Sequence, residues 1–375
     1  MVHILVNGIS AKSGGGRSVL TNFLTVLCSR PQTHRFTVVV PDSESYSRFA
    51  SAGLAILPMQ RWASAALLPF TTEFQLPRLF RALDCNAMLN FSDLPVPGIR
   101  HQVFLFDWPY AAYPESVAWR MGGIRAVLKR RAKLWMFKRN LGSISTFVTQ
   151  GPAIGIRMRR LYGFDRVEVV PNAVSVDSLS SSPAHDFQLP RGFKFLCLSR
   201  YYSHKNLEVF IDLAERIRAA RLDWKIVITV DPTEGPGAHR LLAQIGRREL
   251  GDIILNLGSV PMEYVPSLYR QTDALLLPTF LESFSGTYVE AMHHGKAIFT
   301  SRLEFAQDVC GDAAIYFDPH DSADIWRTLQ AAIAEPEQLA RKVEAGNARL
   351  AKFPNWDQVF DSCINLIEQD IQGRK

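Results

Sequence analysis

Asp273–His293 reads DALLLPTFLESFSGTYVEAMH. Its apolar start, Asp273–Thr279, has the length and composition of a buried strand. The turn Ser-Phe-Ser-Gly-Thr follows, and then a helix that holds Ala291, Met292 and His293. A continuous apolar strand delivered straight into a helix is one βα unit, and the same alternation recurs outward in both directions. Strands are expected upstream at Phe195–Ser199, Lys225–Val230 and Ile253–Leu257, and downstream at Ala297–Thr300 and Ala314–Phe317. In the first half they are expected at His3–Val6, Phe36–Val40, Val103–Phe106, Thr146–Thr149 and Val167–Val170. Continuous apolar strands separated by amphipathic helices imply parallel sheets covered on both faces, so the fold class is α/β.

The chain has 375 residues, more than one hydrophobic core usually serves. Two domains are therefore expected, at 1–174 and 192–355, joined by the Ser- and Pro-rich linker 175–191 (SVDSLSSSPAHDFQLPR) and followed by a terminal helix at 356–375. If both domains are doubly wound, a ligand belongs in the crevice at the carboxyl ends of their strands. Hydrophobic residues are 47% and charged residues 21%, which excludes disorder, collagen and coiled coil. No apolar run approaches the roughly 20 residues of a membrane span, and MVHILVNG carries no basic leader region. The expectation is a cytoplasmic protein. Cys28, Cys85, Cys197, Cys310 and Cys363 are odd in number, scattered and without a C-x-x-C pair, which suits reduced thiols and argues against disulfides or structural zinc.

Three constellations can carry chemistry. Gly14, Gly15 and Gly16 open a helix, where backbone amides can approach an anion such as phosphate, although a flexible loop accounts for them equally well. Neither G-x-G-x-x-G nor the P-loop pattern is present. Arg200 and Lys205, in LSRYYSHKN, follow a strand and suit a diphosphate, Arg as a fork and Lys as a point charge. The alternative is two ordinary surface cations. Glu282 and Glu290 straddle the Ser-Phe-Ser-Gly-Thr turn, where carboxylates can accept hydrogen bonds from sugar or ribose hydroxyls and the amides of Phe284, Ser285, Gly286 and Thr287 can meet hydroxyl or phosphate oxygens. The alternative for the carboxylates is capping or solvation of the helix. His293 and His294, adjacent on a helix, point in different directions and do not make a metal site.

Glu282 and Glu290, followed by Ala291-Met292 and Gly295-Lys296-Ala297, resemble the paired-glutamate motif of the retaining family-4 glycosyltransferases of GT-B fold. The similarity continues through Arg200, Lys205-Asn206, Gly258-Ser259-Val260, Leu277-Pro278-Thr279, Phe317-Asp318-Pro319 and Phe353-x-x-Trp356-Asp357. In the first half it is looser, through the glycine loop and Pro171-Asn172-Ala173-Val174. The resemblance implies two Rossmann-like domains facing each other across a cleft, with the C-terminal helix crossing back to the first. It implies a nucleotide-diphosphate sugar (UDP, GDP or dTDP) as donor, with Arg200 and Lys205 on the diphosphate, Glu290 on the ribose and Glu282 on the sugar. The amides of Phe284 to Thr287 would support sugar and phosphate oxygens, and those of Gly14 to Gly16 would close over the diphosphate. No metal and no cofactor are implied. Many relatives have His-Asp where this chain has Phe106-Asp107; Phe106 cannot donate that hydrogen bond, so either Asp107 takes part or the sugar is held differently.

Charge is unevenly spread. Between Ser116 and Phe164 stand eleven Arg or Lys residues and no acid, and without that window the net +6 becomes −5. Trp119, Ile124, Val127, Leu128, Leu134, Trp135, Phe137 and Leu141 interleave with the cations of Arg120–Arg139. This is either an interfacial helix on an anionic membrane or a packed helix whose solvated face is basic. Nucleic acid is disfavoured, since no nucleic-acid module accompanies the charge. The expected activity is transfer of a hexose-type sugar to an acceptor hydroxyl on a glycan or lipid-linked precursor, at the inner face of the plasma membrane if the membrane reading holds. A GT-B epimerase or a non-catalytic sugar-nucleotide-binding protein are the other readings.

Overall fold

The apolar runs become the strands of two parallel sheets in a computed structural model that describes residues 1–12, 14–64, 66–173 and 183–373. The first sheet contains β1 (His3–Asn7), β2 (Arg35–Val40), β3 (Ala55–Pro58), β4 (Ala87–Asn90), β5 (Gln102–Leu105), β6 (Thr146–Thr149) and β7 (Val167–Val169), in the order β3-β2-β1-β4-β5-β6-β7. The second contains β8 (Phe193–Cys197), β9 (Trp224–Ile228), β10 (Ile254–Asn256), β11 (Ala274–Leu277), β12 (Ala297–Ser301) and β13 (Ala314–Phe317), in the order β10-β9-β8-β11-β12-β13. Each reverses its winding direction beside its first strand, the pattern of doubly wound Rossmann-like domains.

Two units carry these sheets. Met1–Pro114, Arg125–Ala173 and Pro354–Lys375 form one; Glu115–Ile124 and Val174–Phe353 form the other. Of the expected linker, residues 175–182 lie outside the described residues. The described part is bonded into the second unit: the amide of His185 donates to Ser267 Oγ at 3.1 Å, and that of Phe187 to Gln271 Oε1 at 3.0 Å.

Alternation along the strands shows why their sequences are apolar throughout. Ile4 and Val6 of β1 join one core cluster while Leu5 joins the other, and in β2 Phe36, Val38 and Val40 oppose Val39. Both faces are therefore covered. One layer combines the helix Gly14–Ser29 with the terminal helix Trp356–Gly373, whose Trp356, Val359, Phe360, Cys363, Leu366 and Ile367 are buried. Phe23 and Phe360 bring their rings to 4.8 Å.

Two strands of the first sheet, β3 and β4, have no counterpart in the sequence reading. β3 is short, ends in Pro58 and occupies the sheet edge, where a missing amide donor is tolerated. β4 ends in Asn90, a polar residue in an otherwise apolar run of four. Its polarity is absorbed internally: Asn90 Nδ2 donates to Leu94 O and Gln102 Oε1, and Asn90 Oδ1 accepts from Asn7 Nδ2.

Candidate functional site

In the second sheet β8 and β11 are neighbours, so the chain leaves them toward opposite faces and the loops that follow lie side by side at the switch point. Main-chain and side-chain bonds fasten these loops together. The amide of Phe280 donates to the carbonyl of His204 at 2.8 Å, and Thr279 Oγ1 donates to the same carbonyl at 3.1 Å. Asn206 adopts the left-handed conformation, φ 57°, which Asn tolerates better than most residues. Its Nδ2 reaches Pro319 O at 3.0 Å and so ties in the loop after β13. Ser301 Oγ closes the set by donating to Thr279 O at 2.6 Å.

On this scaffold Lys205 Nζ donates to Glu282 Oε1. Both side chains are nearly buried, 13% and 12% exposed, so a charge on either would be costly without the other. Residues 77 positions apart in sequence thus form one neutral pair. Arg200 is placed differently. Its Nε donates to Glu234 Oε1 at 2.7 Å, and the other oxygen of Glu234 accepts the amide of Tyr201 at 2.7 Å. Glu234 is 4% exposed while Arg200 is 47% exposed, so the carboxylate is fixed and the guanidinium keeps free donors toward solvent. Sequence reasoning did not single out Glu234. It stands in DPTEGP after β9, where Pro and Gly announce a turn but nothing announces its partner across the β8–β9 pair.

Glu290 lies on the helix Gly286–His293. The phenol of Tyr269, itself buried, donates to Glu290 Oε2 at 3.1 Å and to Thr287 O at 3.2 Å. Burial pushes the Glu290 carboxyl up to about 6, against a smaller lowering by the Tyr269 hydrogen bond. The opposite face of this arrangement is an imidazole: His294 stacks on the Tyr269 ring at 4.9 Å and 17°. Burial, aided by His293, Arg270 and Lys296, depresses its pKa to about 4, so His294 is a neutral packing group near neutrality. At the helix start Ser285 Oγ and Thr287 Oγ1 are 2.8 Å apart, and Ser285 makes no side-chain cap, which leaves the first amides of the helix without that partner. Tyr288 OH and Thr300 Oγ1, 2.7 Å apart, fasten the helix to β12. Glu282, Lys205, Phe284 to Thr287 and Glu290 thus belong to the loops and helix of a single switch point.

The remaining candidates belong to the first unit, except that residues 116–124 of the basic window group with the second. Gly14 to Gly16 begin the helix Gly14–Ser29; Gly14 has φ +60°, and a side chain added at any of the three would meet nothing within 4 Å. Asp107 follows β5 and is half-buried. Phe106 is 1% exposed, with its ring 5.2 Å from that of Phe147 and 5.9 Å from that of Phe137. The position is thus part of the first unit's core. The basic window is also partly internal: Arg130 lies 4.6 Å over the Tyr110 ring, Lys133 lies 4.4 Å over Trp108 and pairs with Asp93, and Arg157 lies 4.4 Å over Tyr113.

Residues 186–349, which carry the whole switch-point site, match the family model described as Glycosyl transferases group 1. The match lies within the second unit. A phosphatidyl-myo-inositol mannosyltransferase of Mycobacterium leprae is 29% identical over 55% of this chain and 54% of its own. The chain spans about half the length of the curated relatives it matches. Among solved structures, sucrose-phosphate synthase from Thermosynechococcus elongatus aligns over 100% of both chains with a TM-score of 0.76 at 13% identity. Anabaena HepE, solved with UDP and glucose, aligns over 98% of this chain and 100% of its own with a TM-score of 0.71 at 15% identity. These likenesses are of fold: the chain carries the two Rossmann-like domains of GT-B proteins.

Proposed function

We propose that this chain is a retaining glycosyltransferase that takes a hexose-type sugar from a nucleotide-diphosphate donor and delivers it to a hydroxyl of a glycan or lipid-linked precursor. The observation that carries the reading is the nearly buried Lys205–Glu282 pair at the switch point, with Glu282 in the loop that leads into the helix of the buried Glu290 carboxyl. Such a pair is neutral at rest. A diphosphate arriving at Lys205 takes over its charge and leaves Glu282 to accept hydrogen bonds from the sugar hydroxyls. Arg200, anchored at Nε by Glu234, adds its free guanidinium edge to the same anion. The helix amides at Gly286 and Thr287 contribute partial positive charge.

Glu290 has Oε2 occupied by Tyr269 and Oε1 free for the ribose hydroxyls. Acceptor attack forms the new glycosidic bond on the face from which the nucleotide departs, a diphosphate oxygen takes the acceptor proton, and the sugar–phosphate bond breaks. Stabilisation of the leaving diphosphate by Lys205 and Arg200 is the chief contribution of the protein, and with two cations there the reaction needs no divalent ion. The family match, the UDP and glucose in a protein of the same fold, and the inositol-lipid mannosyltransferase among its relatives support this reading. We place the enzyme in the cytoplasm, peripheral to the inner face of the plasma membrane.

The test is product analysis with UDP-, GDP- and dTDP-sugars, in chelator, with the anomeric configuration read by NMR. Transfer with retention supports the proposal; inversion, a requirement for added metal, or free epimerised nucleotide sugar without acceptor would each replace it.

A further inference from the structure

The helix Ile124–Arg139 has an unusual exposed face. It contains no acidic residue, and its seat is provided by the buried Met136 and Phe137. Ile124, Leu128 and Trp135 are nevertheless 77%, 58% and 61% exposed. Spaced by four and seven residues, they fall on one stripe of the helix. A basic solvated face accounts for cations at such positions but not for an indole and two aliphatic chains held in water.

The cations separate into two sets. Arg130, Lys133 and Lys138 are turned onto the rings of Tyr110, Trp108 and Tyr162, and Arg139 lies 5.5 Å over the ring of Trp135, which stays largely exposed. Arg125, Lys129 and Arg131 are exposed and make no ion pair among the described residues. A second apolar patch adjoins the far end of the helix. Phe70 and Phe74, 43% and 52% exposed, hold their rings 5.1 Å apart, and Trp62 stacks on Phe70 at 6.0 Å. Asn140, directly after the helix, donates to Glu73 Oε1 at 2.7 Å and ties the two together.

We propose that this face docks on an anionic bilayer, with Ile124, Leu128 and Trp135 entering the interface and Arg125, Lys129 and Arg131 meeting lipid phosphates. Nucleic acid offers the same phosphates but no apolar phase to receive the three hydrophobic side chains, and the bilayer offers both. The use of the docking, presentation of a lipid-linked acceptor, rests on the transferase reading. The docking itself is read without any sugar substrate, so either can fail alone.

The experiment is flotation of the full chain with vesicles of phosphatidylglycerol and phosphatidylcholine in equal parts, against phosphatidylcholine alone, at low and high salt. Binding is expected only to the anionic vesicles and is expected to weaken as salt rises, because the screening length falls below about 10 Å above 0.1 M. Arg125→Gln/Lys129→Gln/Arg131→Gln should bind about 100-fold more weakly, at about fivefold for each cation. Arg240→Gln/Arg247→Gln, exposed on the second unit, should bind like wild type. Insertion has its own signal: tryptophan emission should shift to the blue on binding and be quenched by brominated lipid. Trp135→Phe should lose that component while still floating. All these positions are exposed, and matching thermal melts check that the variants fold. Absence of flotation on anionic vesicles at low salt overturns the proposal. Flotation without any Trp135 signal does so too, since it leaves only surface adsorption, as does tighter binding of duplex RNA than of vesicles that is lost in the triple variant.

Discussion

Glu290→Gln should make the protein more stable and a worse binder of its donor, and the two effects can be sized from the burial of this one carboxyl. In the folded chain its pKa rises from 4.5 to about 6 because burial penalises the charge, which corresponds to about 2 kcal/mol. The folded carboxyl keeps its proton to higher pH than the unfolded one. Stability from this group is therefore full below about pH 4.5 and is lost as pH rises through about 6. Gln keeps the shape and still accepts from Tyr269, but carries no charge. The variant should match wild type near pH 4 and exceed it by about 2 kcal/mol near pH 8, which for a unit of this size is a rise in melting temperature of about 4–8 °C. Donor affinity should move the other way near pH 8, by about 10- to 100-fold, since hydrogen bonds to a charged acceptor contribute about 1.5–3 kcal/mol. In wild type the affinity should itself climb as pH rises through about 6, and in the variant that slope should vanish. Melting curves and calorimetric titrations across pH settle it. Superimposed melts near pH 8 with equal, pH-independent affinities would refute the ribose role and the burial argument together.

Four further outcomes follow from the same geometry. Lys205→Met should cost about 3–5 kcal/mol by stranding Glu282, and chemical denaturation should show much of that recovered in Lys205→Met/Glu282→Met, while neither variant transfers sugar. Glu282→Gln should lower kcat more than it raises KM, because its contact to the sugar strengthens as charge develops at the anomeric carbon. Glu234→Ala should lower kcat/KM by roughly tenfold, with kcat falling too, through release of Arg200, and Glu234→Gln should restore most of it, since one acceptor bond of about 1 kcal/mol is retained. Phe106→His should not improve transfer and should destabilise the first unit by about 3 kcal/mol in thermal melts, because it exchanges a core ring for a polar one.

Period and composition made both sheets visible because parallel strands buried on two faces need unbroken apolar runs, as in Ala274–Leu277 and Phe36–Val40. β3 and β4 escaped because an edge strand with Pro58 and a strand ending in buried Asn90 break that rule locally. At the site, Lys205, Glu282 and Glu290 were legible from their positions after strands. Their partners were not. Glu234, Tyr269 and His294 act through contacts made across the sheet and between helices, which no spacing rule encodes. The basic window shows the same division: the sequence counts eleven cations, and only packing reveals that Arg130, Lys133 and Arg157 face aromatic rings while Trp135 faces water.

On the proposed function, the second unit holds a nucleotide-diphosphate sugar through Lys205. Isothermal titration of UDP-, GDP- and dTDP-sugars against wild type and Lys205→Ala tests it without needing the acceptor. Saturable binding of at least one of these donors is expected, one per chain, weakened about 100-fold in Lys205→Ala because a nearly buried charge-assisted contact to phosphate is removed. Failure of every nucleotide sugar to bind the wild-type chain, or equal affinity in the variant, would contradict it.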